Sequence, residues 1–493
     1  MSAPTHRADY RATFAVLATG VVAYALLQSL VMPVLPTLQA ALRTSQGTVT
    51  WVLTAYLLSA SIFTPIMGRI GDMVGKKRIF VVTLIALAFG SLLAALAPNV
   101  GMMIIARVVQ GIGGGVLPLA FGIVRDEFPL ERVSGAVGVI ASLAAVGAGA
   151  GAVIAGPIVD LLSYRWLFWL PMIVTLAAAA AAFVFVPESP VRTKGRISWV
   201  PAFLLSGWLV ALLVALSEAP DWGWGSGKVL VLLVLAVVIG VGWVASELRA
   251  ANPLIDMNMM RQRAVWTTNL VSLLLGVGMY AVAAFLPELV QTPTRFGYGF
   301  GASITQSGLL LLPSSVTMFF VGLHTGHLSR RIGAKWVILV GCAIGAFSVA
   351  LMAFAHGAKW ELYLASGIQG LGMGAASTAM SSLIVAAVRP EQTGVASGMN
   401  ANIRTIGGSI GAAVMGSVVT GHLQDSGVPK ESGYTAGFAA LAAALLAAAV
   451  AALLIPVIRH RPNDLVAELP EDEPEHGELA MVAGGTVVGD KPE

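Results

Sequence analysis

Gly68-Arg69-Ile70-Gly71-Asp72-Met73-Val74-Gly75-Lys76-Lys77 returns later in the chain, altered but in register, as Gly326-His327-Leu328-Ser329-Arg330-Arg331-Ile332-Gly333-Ala334-Lys335. Each run is a short basic hinge between two long apolar blocks. The match continues outward in the same order at an offset of about 259. Gln110-Gly111-Ile112-Gly113 pairs with Gln369-Gly370-Leu371-Gly372, Glu131 with Glu391, Gly138 with Gly398, Gly147 with Gly407 and Gly151 with Gly411. A common order and a nearly constant spacing indicate a duplicated unit.

The blocks between these markers decide what the unit is made of. Of the 493 residues, 57% are hydrophobic and only 11% charged. A soluble core cannot hide that much apolar surface, because a large part of any water-facing surface must be polar. Crossing about 30 Å of hydrocarbon as a helix takes roughly 20 apolar residues. Blocks near 13–35, 50–70, 79–97, 102–124, 134–160, 166–186, 198–217, 228–246, 264–291, 302–324, 335–356, 360–387, 397–420 and 435–458 meet that length. They are too long and unbroken for barrel strands, and helices satisfy their own backbone groups in lipid. The first block is too long for a signal-peptide core and is expected to remain as a helix.

Six blocks fall in each copy, with 198–217 and 228–246 inserted between. An even insertion leaves both copies facing the same way, which makes them parallel repeats. The expected fold is an all-α polytopic membrane protein: two six-helix bundles plus two inserted linker helices, 14 spans in all. The expected organisation is a cytoplasmic N-terminus (1–12), a first bundle (13–190), the inserted pair (191–262), a second bundle (263–460) and a disordered acidic cytoplasmic tail (461–493). With both termini cytoplasmic, most of the 29 Lys and Arg fall on the inner side, as the positive-inside rule requires. The basic balance therefore reflects topology in a cell membrane and implies no nucleic-acid partner. Cys342, the single cysteine, lies in an apolar block and reads as packing.

Parallel repeats place a cavity at mid-membrane that rocking can open to either side. This favours a carrier. The run from Gly68 to Arg78 resembles the signature loop of the major facilitator superfamily. Ala106-Arg107-Val108-Val109-Gln110-Gly111-Ile112-Gly113-Gly114 is similar to the fourth-helix motif of its proton-driven drug exporters, and Gly147, Gly149, Gly151 and Gly156-Pro157 resemble its antiporter motif. Tyr164-Arg165-Trp166-Leu167-Phe168 resembles the entry to the sixth helix, and fourteen spans point to the drug:proton antiporter branch. The resemblance implies a major facilitator fold and a part for Arg107 in proton coupling. It departs in the first helix, where the branch often carries an acid and this chain has Leu27.

Residues with chemical potential inside lipid are few. A guanidinium within a span costs at least about 2.5 kcal/mol unless paired or hydrated, so Arg107 is singled out, with Gln110 one turn further on the same face. Glu288 and Asp160 are the further proton-coupling candidates, since a carboxyl at a low-dielectric wall titrates near neutrality. Gln28, Gln110 and Met32 are candidates for the cavity wall. Gly68, Asp72, Gly75, Lys77 and Arg78, the fifth-helix Gly147, Gly151, Gly156 and Pro157, and Arg404 form the expected gate. In it Arg404 reaches Asp72, and the fifth helix packs on the opposite half. Asp221-Trp222-Gly223-Trp224-Gly225 reads as an interface belt. His324 and His327 lack the company of a metal site.

No nucleophile–base pair, phosphate loop or metal-ligand cluster is present, so neither an enzyme nor a cofactor is expected. The leading expectation is a monomeric exporter of small amphipathic organic compounds, drugs or antibiotics, driven by the proton gradient. Uptake of a small metabolite, or a non-transporting membrane sensor or scaffold, stays open at this level.

Overall fold

The computed structural model describes residues 10–44, 46–189, 198–250, 253–422, 424 and 428–456. The first nine residues and the acidic stretch 461–493 lie outside the described residues, as does the expectation of a disordered tail. Fourteen helices are long and apolar enough to cross a membrane. In the first copy they are α1 (Tyr10–Val34), α2 (Trp51–Val74), α3 (Lys76–Ala95), α4 (Val100–Glu127), α5 (Glu131–Leu161) and α6 (Trp166–Phe185). The inserted pair is α7 (Trp199–Pro220) and α8 (Gly227–Arg249). The second copy holds α9 (Arg263–Gln291), α10 (Thr305–Ile332), α11 (Ala334–Phe354), α12 (Lys359–Ala387), α13 (Pro390–Thr420) and α14 (Glu431–Ala452).

Local chemistry sets several of the ends. Asn99 Oδ1 accepts from Met102 N at 3.0 Å to start α4, and Ser303 and Gln306 form a capping box before α10. The two repeated hinges both turn on a glycine with positive φ, 131° at Gly75 and 89° at Gly333, a conformation that a Cβ would strain. Within α4 the helix tightens into a 3-10 turn over Ile112–Gly115. Its glycines let the backbone press on neighbours, Gly114 against Ala60 and Thr64 of α2 and Gly113 against Leu87 of α3.

The packing pattern repeats like the sequence. In the first copy α1 packs on α5 and α6, α2 on α4, and α3 on α6. In the second α9 packs on α13 and α14, α10 on α12, and α11 on α14. Adding eight to each label converts one set into the other. The two most extensive contacts between copies, α2 on α13 and α10 on α5, interconvert by the same operation. Buried apolar clusters follow the same division. One runs from Val271 to Ile455 within the second copy. Another, from Val16 to Val186, draws only Val385 from outside the first.

Matched glycines perform matched tasks. A Cβ at Gly147 would meet Val22 O at 3.0 Å and one at Gly151 would meet Leu26 O at 2.9 Å, both on α1. Their counterparts Gly407 and Gly411 face Leu273 and Val277 of α9. Gly147 and Gly151 therefore close α5 onto its own bundle, which corrects the expectation that they face the other half. Gly149 and Gly156 do face it, against Ser315 and Thr305 of α10. The spacing of Gly147 and Gly151 selects one face of α5, and α1 covers that face.

The inserted α7 lies along the α2–α13 contact. Leu205, Leu209 and Leu213 share a buried cluster with Ile66 of α2 and Ala396, Met399 and Ile406 of α13. Nearer its other end Ser217 Oγ lies 3.3 Å from Thr54 Oγ1 of α2. Trp224 Nε1, just beyond, donates to Ser417 Oγ of α13 at 2.6 Å. Trp222 and Trp224 are 39% and 40% exposed, as interface residues would be, but Trp224 is also a tether.

Candidate functional site

At the end of the bundle carrying the hinges, the two copies meet through charge. Asp72, the last-turn acid of α2, is fully buried. Its Oδ2 accepts from the backbone N of Val395 at 3.2 Å, within the first turn of the regular helix that starts at Thr393. Free N–H groups and the helix dipole make that position suited to an anion. Lys76, also fully buried, lies 3.6 Å from Asp72 Oδ1 and 2.6 Å from Asp126 Oδ2 at the end of α4. Ser189 Oγ donates to the same Asp126 oxygen. Arg125 crosses the contact as well. Its Nη1 donates to the Val385 carbonyl of α12 and, at 3.1 Å, to Thr393 Oγ1. Close backbone approach permits all of this: a Cβ on Gly68 would lie 2.6 Å from Gly394 O, and one on Gly398 would lie 3.0 Å from Thr64 O.

Asp126 and Arg125 complete this lock and were not singled out from the sequence, where Lys76 stood only as one of four hinge cations able to meet Asp72. Lys77 and Arg78, which were, stand outside it. Lys77 Nζ lies 5.6 Å from the Phe183 ring centroid, and Arg78 Nε is 3.4 Å from Glu188 Oε2 on the exposed side. The φ of Gly75 sets the phase of α3 so that only Lys76 points inward. Arg404 does not reach Asp72. It sits nine residues beyond Val395, about 13 Å along the helix at 1.5 Å per residue. There it lines a cavity of about 10 Å³ with Ser397, Asn400, Ser381 and Phe121, room for roughly one water.

Arg107 lies deeper, seven residues inside α4, and is fully buried. Nε donates to Val52 O at 3.0 Å and Nη1 to Gln110 Oε1 at 2.8 Å. Gln110 Nε2 in turn donates to Ser91 Oγ at 3.0 Å. The guanidinium stacks on Tyr56, 4.4 Å from the ring centroid. Arg107 and Gln110 thus come together as their spacing indicated. Both polar ends of Gln110 are consumed, however, so it orients the arginine and is not a cavity-wall residue.

The two copies together match the model of the Major Facilitator Superfamily, over residues 17–411 and 268–480. The chain belongs to the major facilitator superfamily. Among its relatives is the multidrug resistance protein B homolog of Mycobacterium tuberculosis, 30% identical over 389 residues that cover 76% of this chain and 70% of that protein. The tetracenomycin C resistance and export protein of Streptomyces glaucescens is 28% identical over 422 residues, covering 84% and 76%. In structure the chain is similar to the human organic anion transporter MFSD10 (TETRAN), with a TM-score of 0.64 over 90% of this chain and 99% of that one at 16% identity. That likeness establishes the shared fold.

The remaining candidates of this facilitator are scattered. Asp160 and Glu288 are exposed near the ends of α5 and α9. Glu288 neighbours the buried Tyr434, which packs 5.9 Å from Tyr298. Burial in the loop after α9 pushes the Tyr298 phenol up, and its hydroxyl donates to Pro429 O at 2.5 Å. Neither acid joins Arg107. Gln28 is half-buried and Met32 is 38% exposed at the end of α1. Pro157 is exposed in the last turns of α5.

One buried acid had no sequence signal beyond a charge near the end of a span. Glu247 of α8 is 2% exposed. It accepts from Trp243 Nε1 at 3.2 Å and from the backbone N of Leu254 and Ile255 at 2.8 and 3.2 Å. Asp256 then accepts from Gln392 Nε2 at 2.9 Å. The exit of the inserted pair is fastened in this way to the start of α13.

Proposed function

We propose that the protein exports amphipathic organic compounds, drugs and antibiotics among them, by alternating access across the plasma membrane, exchanging them for protons. Both termini and the Asp72 lock lie on the cytoplasmic side in this reading. The observation that carries it is the seam between two equivalent bundles, held at one end by few, displaceable polar contacts. Asp72 on Val395 N and Arg125 on Thr393 can be exchanged for water, and a seam of this kind can rock open. Relatives named for multidrug resistance and for export of tetracenomycin C supply the direction and the class of cargo. Glu288, at the opposite mouth from the lock, is the proposed proton-carrying group.

Two measurements test this. Expression in a drug-sensitive host lowers accumulation of a fluorescent dye from a panel of mixed charge, and a protonophore restores it. Raised accumulation of a solute would reverse the direction of transport. In proteoliposomes with an imposed pH gradient, Glu288→Gln stops proton counterflow while cargo binding persists; undiminished flow excludes Glu288.

A further inference from the structure

The middle of the seam is positively charged and holds no acid. Every Asp and Glu in the fourteen spans lies within three residues of a span end. The Lys and Arg side chains farthest from a span end are Arg107, seven residues inside α4, and Arg404, fourteen inside α13. No ion pair engages either one among the described residues. Arg107 Nη2 and Arg404 Nε are buried without a hydrogen-bond partner, and the Tyr56 hydroxyl meets only the Tyr24 phenol. Tyr56 ties the groups together. It lies beneath Arg107 and beside Tyr24, and Tyr24 stands within electrostatic reach of both Tyr280 and Arg404. Tyr24 of α1 and Tyr280 of α9 sit on corresponding helices of the two copies.

A guanidinium stays charged and is costly to leave unpaired in a low-dielectric interior. Two of them flanked by phenol rings, with donors directed at nothing in the protein, make a receptor for a planar anion. We propose that the cargo recognised at the centre of the seam is an acidic aromatic compound, whose carboxylate or phenolate seats on Arg107 Nη2 and the Tyr56 hydroxyl while its rings lie among Tyr24, Tyr56 and Tyr280. Arg404, from the other copy, stands within electrostatic reach of Tyr24 in the same ring cluster, so the positive field over the bound anion comes from both halves. This rests on the export reading for its setting and narrows it to a charge class.

Fluorescein and rhodamine 123 share a xanthene skeleton and differ in charge, which suits them as probes. Binding to the purified full-length protein in detergent, followed by fluorescence anisotropy, is expected to favour anionic fluorescein by at least about tenfold, the scale of one charged hydrogen bond. Arg107→Gln and Arg404→Gln each reduce fluorescein affinity by about tenfold or more and leave rhodamine 123 unchanged or tighter. Tyr56→Phe keeps the stacked ring, lacks only the hydroxyl, and gives a smaller loss of the same sign in a variant expected to fold. Equal binding of the dyes, tighter binding of rhodamine 123, or fluorescein affinity indifferent to Tyr56→Phe and Arg404→Gln overturns the proposal. Fluorescein binding that requires chloride and vanishes in gluconate also overturns it, by assigning the seat to an inorganic anion. Failure of export is separable: a protein that binds fluorescein through Arg107 but never lowers its accumulation in cells keeps the anion seat and loses the exporter. One that extrudes only rhodamine 123 does the reverse.

Discussion

Asp72→Asn isolates the charge in the lock while preserving shape. The carboxylate makes a charge-assisted hydrogen bond to Val395 N, worth about 1.5–3 kcal/mol, where a neutral acceptor is worth about 0.5–1.5. The favourable interaction with the α13 dipole, about 0.3–1 kcal/mol, is lost as well. Lys76 gives up its 3.6 Å partner but keeps Asp126 at 2.6 Å, so the bundle is not left with an unpaired buried cation. A net loss of about 1–2 kcal/mol for the closed seam raises the open population about 5- to 30-fold. Ser397, 8% exposed on α13 and lining the small cavity beside Arg404, is the reporter position. In a Cys342→Ser background, the maleimide labelling rate of Ser397→Cys reads the open fraction when opening is fast. That rate is expected to rise 5- to 30-fold on adding Asp72→Asn, and further with Asp72→Ala, which leaves Val395 N–H without an acceptor. Identical labelling rates in parent and Asp72→Asn proteins would refute the claim that this carboxylate holds the seam shut.

Gly68→Val places atoms 2.6 Å from the Gly394 carbonyl oxygen, a backbone group that cannot rotate aside. Transport is expected to fall more than tenfold while the Ser397→Cys label reacts at its open-state rate, and a functional Gly68→Val carrier contradicts the close approach. Glu247→Gln turns one of three accepting contacts into a donor facing a backbone N–H, at a cost of about 1–3 kcal/mol. A lowered thermal midpoint with largely retained cargo binding is expected, and an unchanged midpoint shows that the α8 exit is held by other means.

Spans and symmetry were legible because lipid leaves few alternatives. A twenty-residue apolar block has one stable backbone solution, and the repeated hinges fixed its duplication. Arg107 was legible for a related reason, as a charge far from any block end. The lock was only half legible. Lys76, Lys77 and Arg78 are adjacent cations, and which one turns inward depends on the φ of Gly75, a quantity no composition reveals. Asp126 and Glu247 lie within a turn of block ends, where charges ordinarily meet water and headgroups. Asp126 is buried by Lys76 and Ser189, both distant in sequence, and Glu247 by the chain turning back at Leu254 and Ile255. The face of Gly147 and Gly151 followed from their spacing, but the neighbour filling it is a tertiary fact, and α1 competed successfully with the other bundle.

The duplicated hinge is symmetrical in backbone and opposite in charge, and this difference bears on how a carrier alternates. Gly75 and Gly333 turn alike, yet the counterpart of Asp72 is Arg330. Asp72 presents an anion to the N-terminus of α13, where the dipole welcomes it. Arg330 presents a cation near the N-terminus of α5, where the dipole opposes it, and reaches the Glu131 carbonyl oxygen only at 3.5 Å on the exposed side. The seam is therefore held firmly along α2–α13 and weakly along α10–α5 at the same end. Two locks of the Asp72 kind would stabilise closure twice over. Inverting a 99:1 equilibrium already demands about 5.5 kcal/mol of differential binding, so each added lock moves the open state further from what one bound cargo can reach. A single strong lock, worth about 1–2 kcal/mol in its charge, keeps both conformations within range of the binding energy that must choose between them.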